Sequence, residues 1–367
     1  MNTYMDALFE IEKPIYSIPS MSEINTRDNG FTAVSTFSGC GGSSLGLKMA
    51  GWRISYAVEF IEPARDTYQA NFPDTFIDSR DIRLITAEEI LQHIGLQKGD
   101  LDLFEGSPPC SSFSTANTSK KARIGANKVK DYSDGVSQTT DDLFDEWMRL
   151  LEGLMPRAFV AENVPGMMQA DAEDFLNDLL QRMRDLGYYV EAKIYNVAPF
   201  GAATGRRRLI FQGIRKDLNV QPIRPSSQGY NSYTIREAIE ALQVTPPEDE
   251  MFKARSVAPS YQREWALLKP GESSDVIFQV TRCSWDRPAP TFTQSGGRGA
   301  ADPMHPDECR KFTATEIAWF TGFPTDFKLT GTPAERYERV ARAVPPPLYR
   351  AVGEALTKAL EQARVTS

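Results

Sequence analysis

From Thr32 onward the chain alternates short apolar, β-branched runs with amphipathic stretches, and the runs stop at residues able to do chemistry. "TAVSTF" leads into a glycine-rich turn and a helix beginning near Gly42, and "RISYAVEF" precedes a helix over Pro63 to Phe72. "LDLFEG" at 101–106 and "RAFVAENV" at 157–164 repeat the strand signal, with crossover helices expected near Asp141 to Leu154 and Asp171 to Leu186. That alternation predicts a parallel, doubly wound α/β sheet of the Rossmann-like kind. "YYVEAKIYNV" and "RRLIFQGI" read as late strands, an antiparallel pair at one sheet edge.

After Arg215 the text becomes rich in Pro and Ser, with one clear amphipathic helix, Thr234 to Leu242. We expect an N-terminal extension over 1–30, the sheet-forming domain over 31–215, a smaller irregular domain over 216–300, and a return to the first domain over 301–367. The return ends in "PPPLYRAVGEALTKALEQA", an amphipathic helix that should pack back onto the sheet domain.

With 367 residues the chain can bury a full core without staples. Its four cysteines, Cys40, Cys110, Cys283 and Cys309, lie far apart and only two histidines exist, so no metal is expected. The start of the chain has no apolar run, which argues against a signal peptide or membrane anchor and points to a reducing, cytoplasmic setting. A net charge of −8 excludes a wholly basic nucleic-acid coat. Local charge differs: Lys120, Lys121, Arg123, Lys128 and Lys130 follow one another without an acid between them, and Arg206, Arg207, Arg208 and Arg215 form a second group.

The strand ends carry the candidate site. Gly39, Gly41 and Gly42 let backbone approach a ligand where parallel strands end, although Ser44 stands where a dinucleotide fingerprint would want glycine. Glu59 closes the next strand at the distance suited to a ribose diol, and Asp81 follows the third, placed for an adenine amine. Pro108 and Pro109 stiffen the backbone ahead of Cys110, and the neighbouring strand ends in Glu162 and Asn163. A thiol beside a carboxyl group suits attack on an electron-poor ring, the thiolate adding while the protonated carboxyl donates to a ring nitrogen. No histidine lies nearby in sequence to serve a protease-type mechanism.

"FSGCGGSSLGL", "YAVEF", "DIR", "GSPPCSSFS", "AENVPGM", "GRRRLIF", "RPAPTFT" and "VPPPLYRAVGEAL" resemble, in order and spacing, the motif series of the cytosine-C5 DNA methyltransferases. The resemblance implies that Cys110 attacks C6 of a cytosine flipped from double-stranded DNA, that Glu162 bonds N3 and the exocyclic amine, and that C5 takes the methyl of S-adenosylmethionine. It further implies Phe37 stacked on the adenine, Glu59 on the ribose, Asp81 and Ile82 framing the base and Leu143 lining the pocket, with Gly39, Gly41, Phe60, Ser107 and Val344 completing the donor's surroundings. Asn163 would brace the loop, and Arg206 and Arg208 would hold Glu162 and the cytosine. Ser111, Ser114, Arg287 and Thr291 would meet DNA, and the basic loop of Lys120, Lys121, Arg123 and Lys128 would close on phosphates. The small domain becomes a target-recognition domain that reads bases in the major groove.

Three positions depart from the family pattern. Ser111 follows the cysteine where glutamine is frequent, Thr204 opens the Gln-x-Arg-x-Arg motif, and Ala341-Arg342 replaces Gly-Asn. Arg342 beside a sulfonium requires an anion, which the methionine carboxylate or a DNA phosphate would supply. A carboxylate on the transferable carbon would do so too; the donor is then carboxy-S-adenosylmethionine and the product 5-carboxymethylcytosine. The competing readings are a tRNA cytosine-5 methyltransferase, a DNA-binding module without turnover, and a nicotinamide-dependent oxidoreductase by fold analogy. A monomer is expected, in a bacterial or phage-infected cell, and a restriction endonuclease partner is compatible with the sequence without being implied by it.

Changing Lys120, Lys121 and Lys128 together to Ala should weaken DNA binding evenly across sequences and flatten the logarithmic salt dependence by about 2 to 3. Fluorescence anisotropy titrations at several salt concentrations check it, and an unchanged slope would assign those lysines to solvated surface.

Overall fold

The structure, a computed structural model, describes residues 13–109, 129–131, 137–139, 142–168, 173–297 and 299–366. Seven strands make the main sheet: β1 (Thr32–Thr36), β2 (Arg53–Val58), β3 (Phe76–Asp78), β4 (Leu103–Gly106), β7 (Ala158–Asn163), β8 (Tyr188–Asn196) and β9 (Arg207–Arg215). A separate short ribbon pairs β5 (Val129–Asp131) with β6 (Ser137–Thr139). The sheet order is β3-β2-β1-β4-β7-β9-β8, and the first five of these lie parallel. The chain leaves β1 toward β3 and then crosses back to β4, so the topological switch falls between β1 and β4, where such sheets bind ligands.

Side chains alternate across the sheet because successive Cβ atoms point to opposite faces. Val34, Phe104, Phe159 and Phe211 enter one core with helices α4 (Ala87–Ile94), α5 (Leu143–Leu154) and α6 (Glu173–Asp185). Ala33, Leu103, Val160 and Ile210 enter the other, under α2 (Gly42–Met49) and α13 (Pro346–Thr366). Both faces are covered, as the expected doubly wound arrangement requires.

The expected antiparallel pair is β8 with β9, but β9 also pairs antiparallel with β7 and lies inside the sheet, leaving β8 at the edge. The beginning of β9 therefore lies beside the end of β7: Asn163 is opposite Leu209, and Glu162 is opposite Ile210.

The region after Arg215 is more helical than its composition suggests. The helix expected over Thr234 to Leu242 is α7 (Ile235–Ala241), which Thr234 starts with a capping box, and α8 (Glu248–Arg255) and α9 (Pro259–Leu267) follow. Those two have no apolar stripe to betray them: α8 buries only Glu250 and Ala254, and α9 buries no residue fully. A pair of very short strands, β10 (Thr281–Arg282) and β11 (Pro303–Met304), joins text on either side of residue 300, with α10 (Gln294–Gly297) between them. Helices α11 (Ala314–Thr321) and α12 (Pro333–Arg342) share a core with the N-terminal segment, where α1 (Met21–Asn25) places Met21 and Ile24 and where the Tyr16 hydroxyl donates to the Trp319 carbonyl at 2.5 Å.

Helices α2 and α13 touch at backbone distance. A Cβ built on Gly46 would come within 2.4 Å of the Pro346 carbonyl oxygen and 2.5 Å of the Tyr349 Cβ. An exposed mid-helix Gly→Ala ordinarily gains about 1 kcal/mol. Here Gly46→Ala should instead lose about 1–3 kcal/mol through overpacking, measured by urea denaturation.

Candidate active site

Every strand of the parallel set ends at one rim. β1 runs into a turn where Phe37 takes a left-handed φ of 53° and Gly39 one of 55°. Phe37 is not glycine, so its backbone is strained, a condition that persists only where surrounding structure enforces it. Its ring packs on the cluster that contains Ile82 and Leu143, three apolar walls from three different elements. A Cβ on Gly39 would meet nothing within 4 Å, so this turn is open on its outer side. At Gly42, by contrast, a Cβ would strike the Val344 carbonyl oxygen at 2.2 Å, which presses the start of α2 against the residues ahead of α13.

Glu59 directly follows β2 and is nearly buried at 8% exposure. Its carboxylate accepts the Gly39 N–H at 2.7 Å and the Ile61 N–H at 2.8 Å, one on each oxygen. A carboxylate has lone pairs for further donors, so a hydroxyl pair at the open side of Gly39 fits this acceptor. Burial raises Glu59 above the usual carboxylate range against those two bonds, and the positive charge of Arg342 also acts on it. Phe60, half-buried, follows at the rim. Asp81 accepts the Arg83 N–H at 3.0 Å and pairs with the Arg83 guanidinium at 2.8 Å, and Arg83 reaches on to Asp142 at the start of α5. Arg342 approaches Glu338 at 3.5 Å on its own helix.

β4 is followed by Ser107, Pro108 and Pro109. Cys110, Ser111, Ser114, Lys120, Lys121, Arg123 and Lys128 lie outside the described residues. Asn163 donates from β7 to the Pro108 carbonyl at 3.0 Å and accepts the Val164 N–H at 2.8 Å, which ties the two strand ends together. Beside it Glu162, 8% exposed, pairs with the Arg208 Nε at 2.5 Å. Burial raises Glu162 above the usual carboxylate range, while Arg208 and Ser107 pull it down.

The reversed β9 makes this pair. Along "GRRRL" the strand period sends Arg206 and Arg208 inward, both nearly buried, and Arg207 outward. Arg206 and Arg208 do not share a partner: Arg206 donates to the carbonyls of Ala341 and Arg342 and so holds the end of α12. Thr204 donates to the Ala289 carbonyl at 3.0 Å, while Arg287 and Thr291 on the same connection are exposed.

A family model described as C-5 cytosine-specific DNA methylase matches residues 31–358. The chain belongs to this family of enzymes. Type II methyltransferase M1.HphI of Haemophilus parahaemolyticus is 28% identical over 342 residues, covering 89% of this chain and 87% of its own. Type II methyltransferase M.NgoPII of Neisseria gonorrhoeae is 28% identical over 360 residues, covering 92% and 98%. A protein assigned as a DNA modification methyltransferase within an Escherichia coli prophage superposes with a TM-score of 0.70 at 22% identity, covering 90% of this chain and 100% of that one.

Two polar residues of this cytosine methylase escaped sequence reading. Glu105 sits fully buried inside β4, and Tyr349 lies buried on α13 below the same rim. The available signal was an acid within the apolar run "LDLFEG", a residue type that is seldom buried without partners. Among the described residues no group of three or more His, Cys, Asp and Glu side chains could hold a metal, and no helix is long and apolar enough to cross a membrane.

Removing one partner of the Arg208–Glu162 pair leaves a buried charge uncompensated, which costs about 3–5 kcal/mol. Arg208→Ala should lower stability by that order at pH 8 and by less at pH 5. Without Arg208 the Glu162 carboxyl rises further, so toward low pH it is protonated and needs no cation. Urea denaturation of both proteins at the two pH values checks the sign.

Proposed function

We propose that the chain transfers a methyl group from S-adenosylmethionine to C5 of a cytosine held outside a DNA duplex. The observation that carries this reading is the Arg208–Glu162 pair at the rim where β4 delivers Pro108 and Pro109 toward Cys110. Glu162 is a carboxyl raised by burial and oriented by Arg208, which suits it to bond N3 and the exocyclic amine of a cytosine. Cys110 is the nucleophile by its place in the motif. Cys40 and Cys283, buried and pushed up to about 11 and about 12, stay thiols at neutral pH.

The donor supplies an electrophilic methyl group when bound. For it the chain offers the open Gly39 turn, the Glu59 carboxylate for the ribose hydroxyls, and the walls of Phe37, Ile82 and Leu143 for the base. Asn163 keeps the Pro108 carbonyl fixed, which limits where the following thiol can sit. DNA rather than tRNA is favoured by the family description and by relatives named Type II methyltransferases. Residues 216–300 would serve target recognition, and the basic loop would meet phosphates.

One observation favours a second reading of the donor. Arg342 brings a positive charge within electrostatic reach of both Glu59 and Cys40, beside the Gly39 turn. A carboxylate on the transferable carbon would be a further anion for that charge besides Glu338, giving 5-carboxymethylcytosine from carboxy-S-adenosylmethionine. With both donors offered in competition, nucleoside mass spectrometry should find 5-methylcytosine alone, unchanged by Arg342→Asn; a carboxymethyl product lost in that variant would replace the donor assignment.

The wild-type protein should form a covalent complex with duplex DNA carrying 5-fluorocytosine in the presence of donor. Cys110→Ser should form none, keep DNA affinity, and lose at least about a hundredfold in turnover. Modification of tRNA but not of duplex DNA would overturn the reading.

A further inference from the structure

Asp302 and Lys311 are buried, oppositely charged and without a role in the site described above. Both reach the short turn "TQSGG", Thr293 to Gly297, that contains α10. The Lys311 ammonium donates to the Gly296 carbonyl at 2.8 Å and to the Ala300 carbonyl. Asp302 accepts the Thr293 N–H at 3.3 and 3.2 Å on its two oxygens, and it accepts the Tyr337 hydroxyl at 2.6 Å. The start of the turn, its middle and the chain beyond it are thus each held by a side chain from outside.

These holders are themselves fixed. The Lys311 N–H donates to the Ala254 carbonyl of α8 at 3.0 Å, and Lys311 bridges to Met304 of β11. Tyr337 belongs to α12, whose end Arg206 holds. Ahead of that helix the Thr330 hydroxyl bonds Thr67 of α3 (Glu62–Asn71) at 2.8 Å. The turn packs flush against this support: a Cβ on Gly296 would lie 2.2 Å from Asp302 Oδ2, and one on Gly297 would lie 3.0 Å from the Ala334 carbonyl oxygen.

The turn also lies close to the reacting rim. Ala289 donates to the Ala203 carbonyl at 2.7 Å and accepts the Gly205 N–H at 2.8 Å, just ahead of β9. Thr293 follows Ala289 by four residues, so it lies within about 14 Å of the strand that carries Arg206 and Arg208. Arg287 and Thr291, exposed on the same connection, flank that anchor.

Buried charges of this kind add little net stability, because desolvation offsets their bonds. Burial pushes Lys311 down to about 8 and Asp302 up to about 7, and each charge opposes the shift of the other. An apolar filling would hold the fold as well, whereas donors and acceptors aimed at backbone groups fix the path of the turn.

We propose that Lys311 and Asp302 are positioning residues for DNA, a clamp that sets the path of the Thr293–Gly297 turn where the duplex meets it beside the rim. Neither side chain meets DNA itself. The inference rests on the assignment of residues 216–300 to target recognition.

The test is Lys311→Met, which keeps the length of the side chain and removes its donors. Anisotropy titrations should show affinity for duplex DNA at least about threefold weaker. The salt slope should stay unchanged, since losing a lysine that meets a phosphate flattens it by about 0.9 and losing a buried one does not. The single-turnover rate at saturating DNA and the donor affinity by calorimetry should both stay within about twofold of wild type. A loss of folded protein would instead lower the active fraction and leave the affinity of the remainder as in wild type. Tyr337→Phe removes only the hydroxyl on Asp302; it should weaken DNA binding by at least about threefold too, and it decides the matter if Lys311→Met fails to fold. A smaller loss of DNA affinity in the deciding variant, a flattened salt slope in Lys311→Met, or an equal loss of donor affinity overturns the clamp. Arg287→Ala separates the two layers: if it weakens DNA binding while the deciding variant does not, the clamp alone fails. If neither weakens it, the assignment of residues 216–300 fails and the clamp with it.

Discussion

The ion pair between Arg208 and Glu162 exists because one strand of the sheet runs against its neighbours. Parallel strands bring only their carboxyl ends to the rim, and in this chain those ends offer glycine, acids and a pair of prolines. A cation has to come from somewhere else. With β9 reversed, the start of a strand reaches the same rim, and the alternation along "GRRRL" turns two of its three arginines inward. Arg208 then orients the acid, and Arg206 ties the end of α12 to the sheet. One change of strand direction thus links Glu162 to the segment that carries Arg342.

Taking these charges out of water is costly, and the structure answers with bonds from rigid elements. Glu59 is held by two backbone N–H groups, and Arg310, just ahead of α11, is held by Glu316 through two bonds of 2.9 Å. Such pairs contribute little net stability, since desolvation offsets the attraction. What they provide is fixed geometry, which a reaction between two held partners needs more than it needs extra stability.

Much of the sheet was legible because its strands and crossover helices write themselves as apolar runs of the right length. The rim residues Gly39, Glu59, Glu162 and Asn163 were legible too, since each stands where an apolar run stops. The interior position of β9 was not, because an antiparallel pair looks the same in sequence whether it lies at the edge or between neighbours. Helices α8 and α9 hid for a different reason: they bury almost nothing, so no 3.6-residue pattern marks them. Arg206 and Arg208 read as one group, and only the separate courses of their side chains divide their partners. Glu105 was passed over because its partners, Ser35 and Ser43, come from a strand and a helix some sixty to seventy positions away in the chain.

The backbone contact of α2 with α13 also says something about time. Gly42 and Gly46 are closed off by Val344, Pro346 and Tyr349, residues close to the end of the chain. The turn ahead of α2 is therefore locked by α13, a helix far from it along the chain. During synthesis the five parallel strands can emerge and begin to pair long before that lock is available, because domains form as their residues appear. Until the final helix docks, α2 exposes an apolar face without its cover, and the turn that precedes it lacks the neighbour that sets its position. A nascent chain thus cannot set the position of the Gly39–Gly42 turn until α13 has been made.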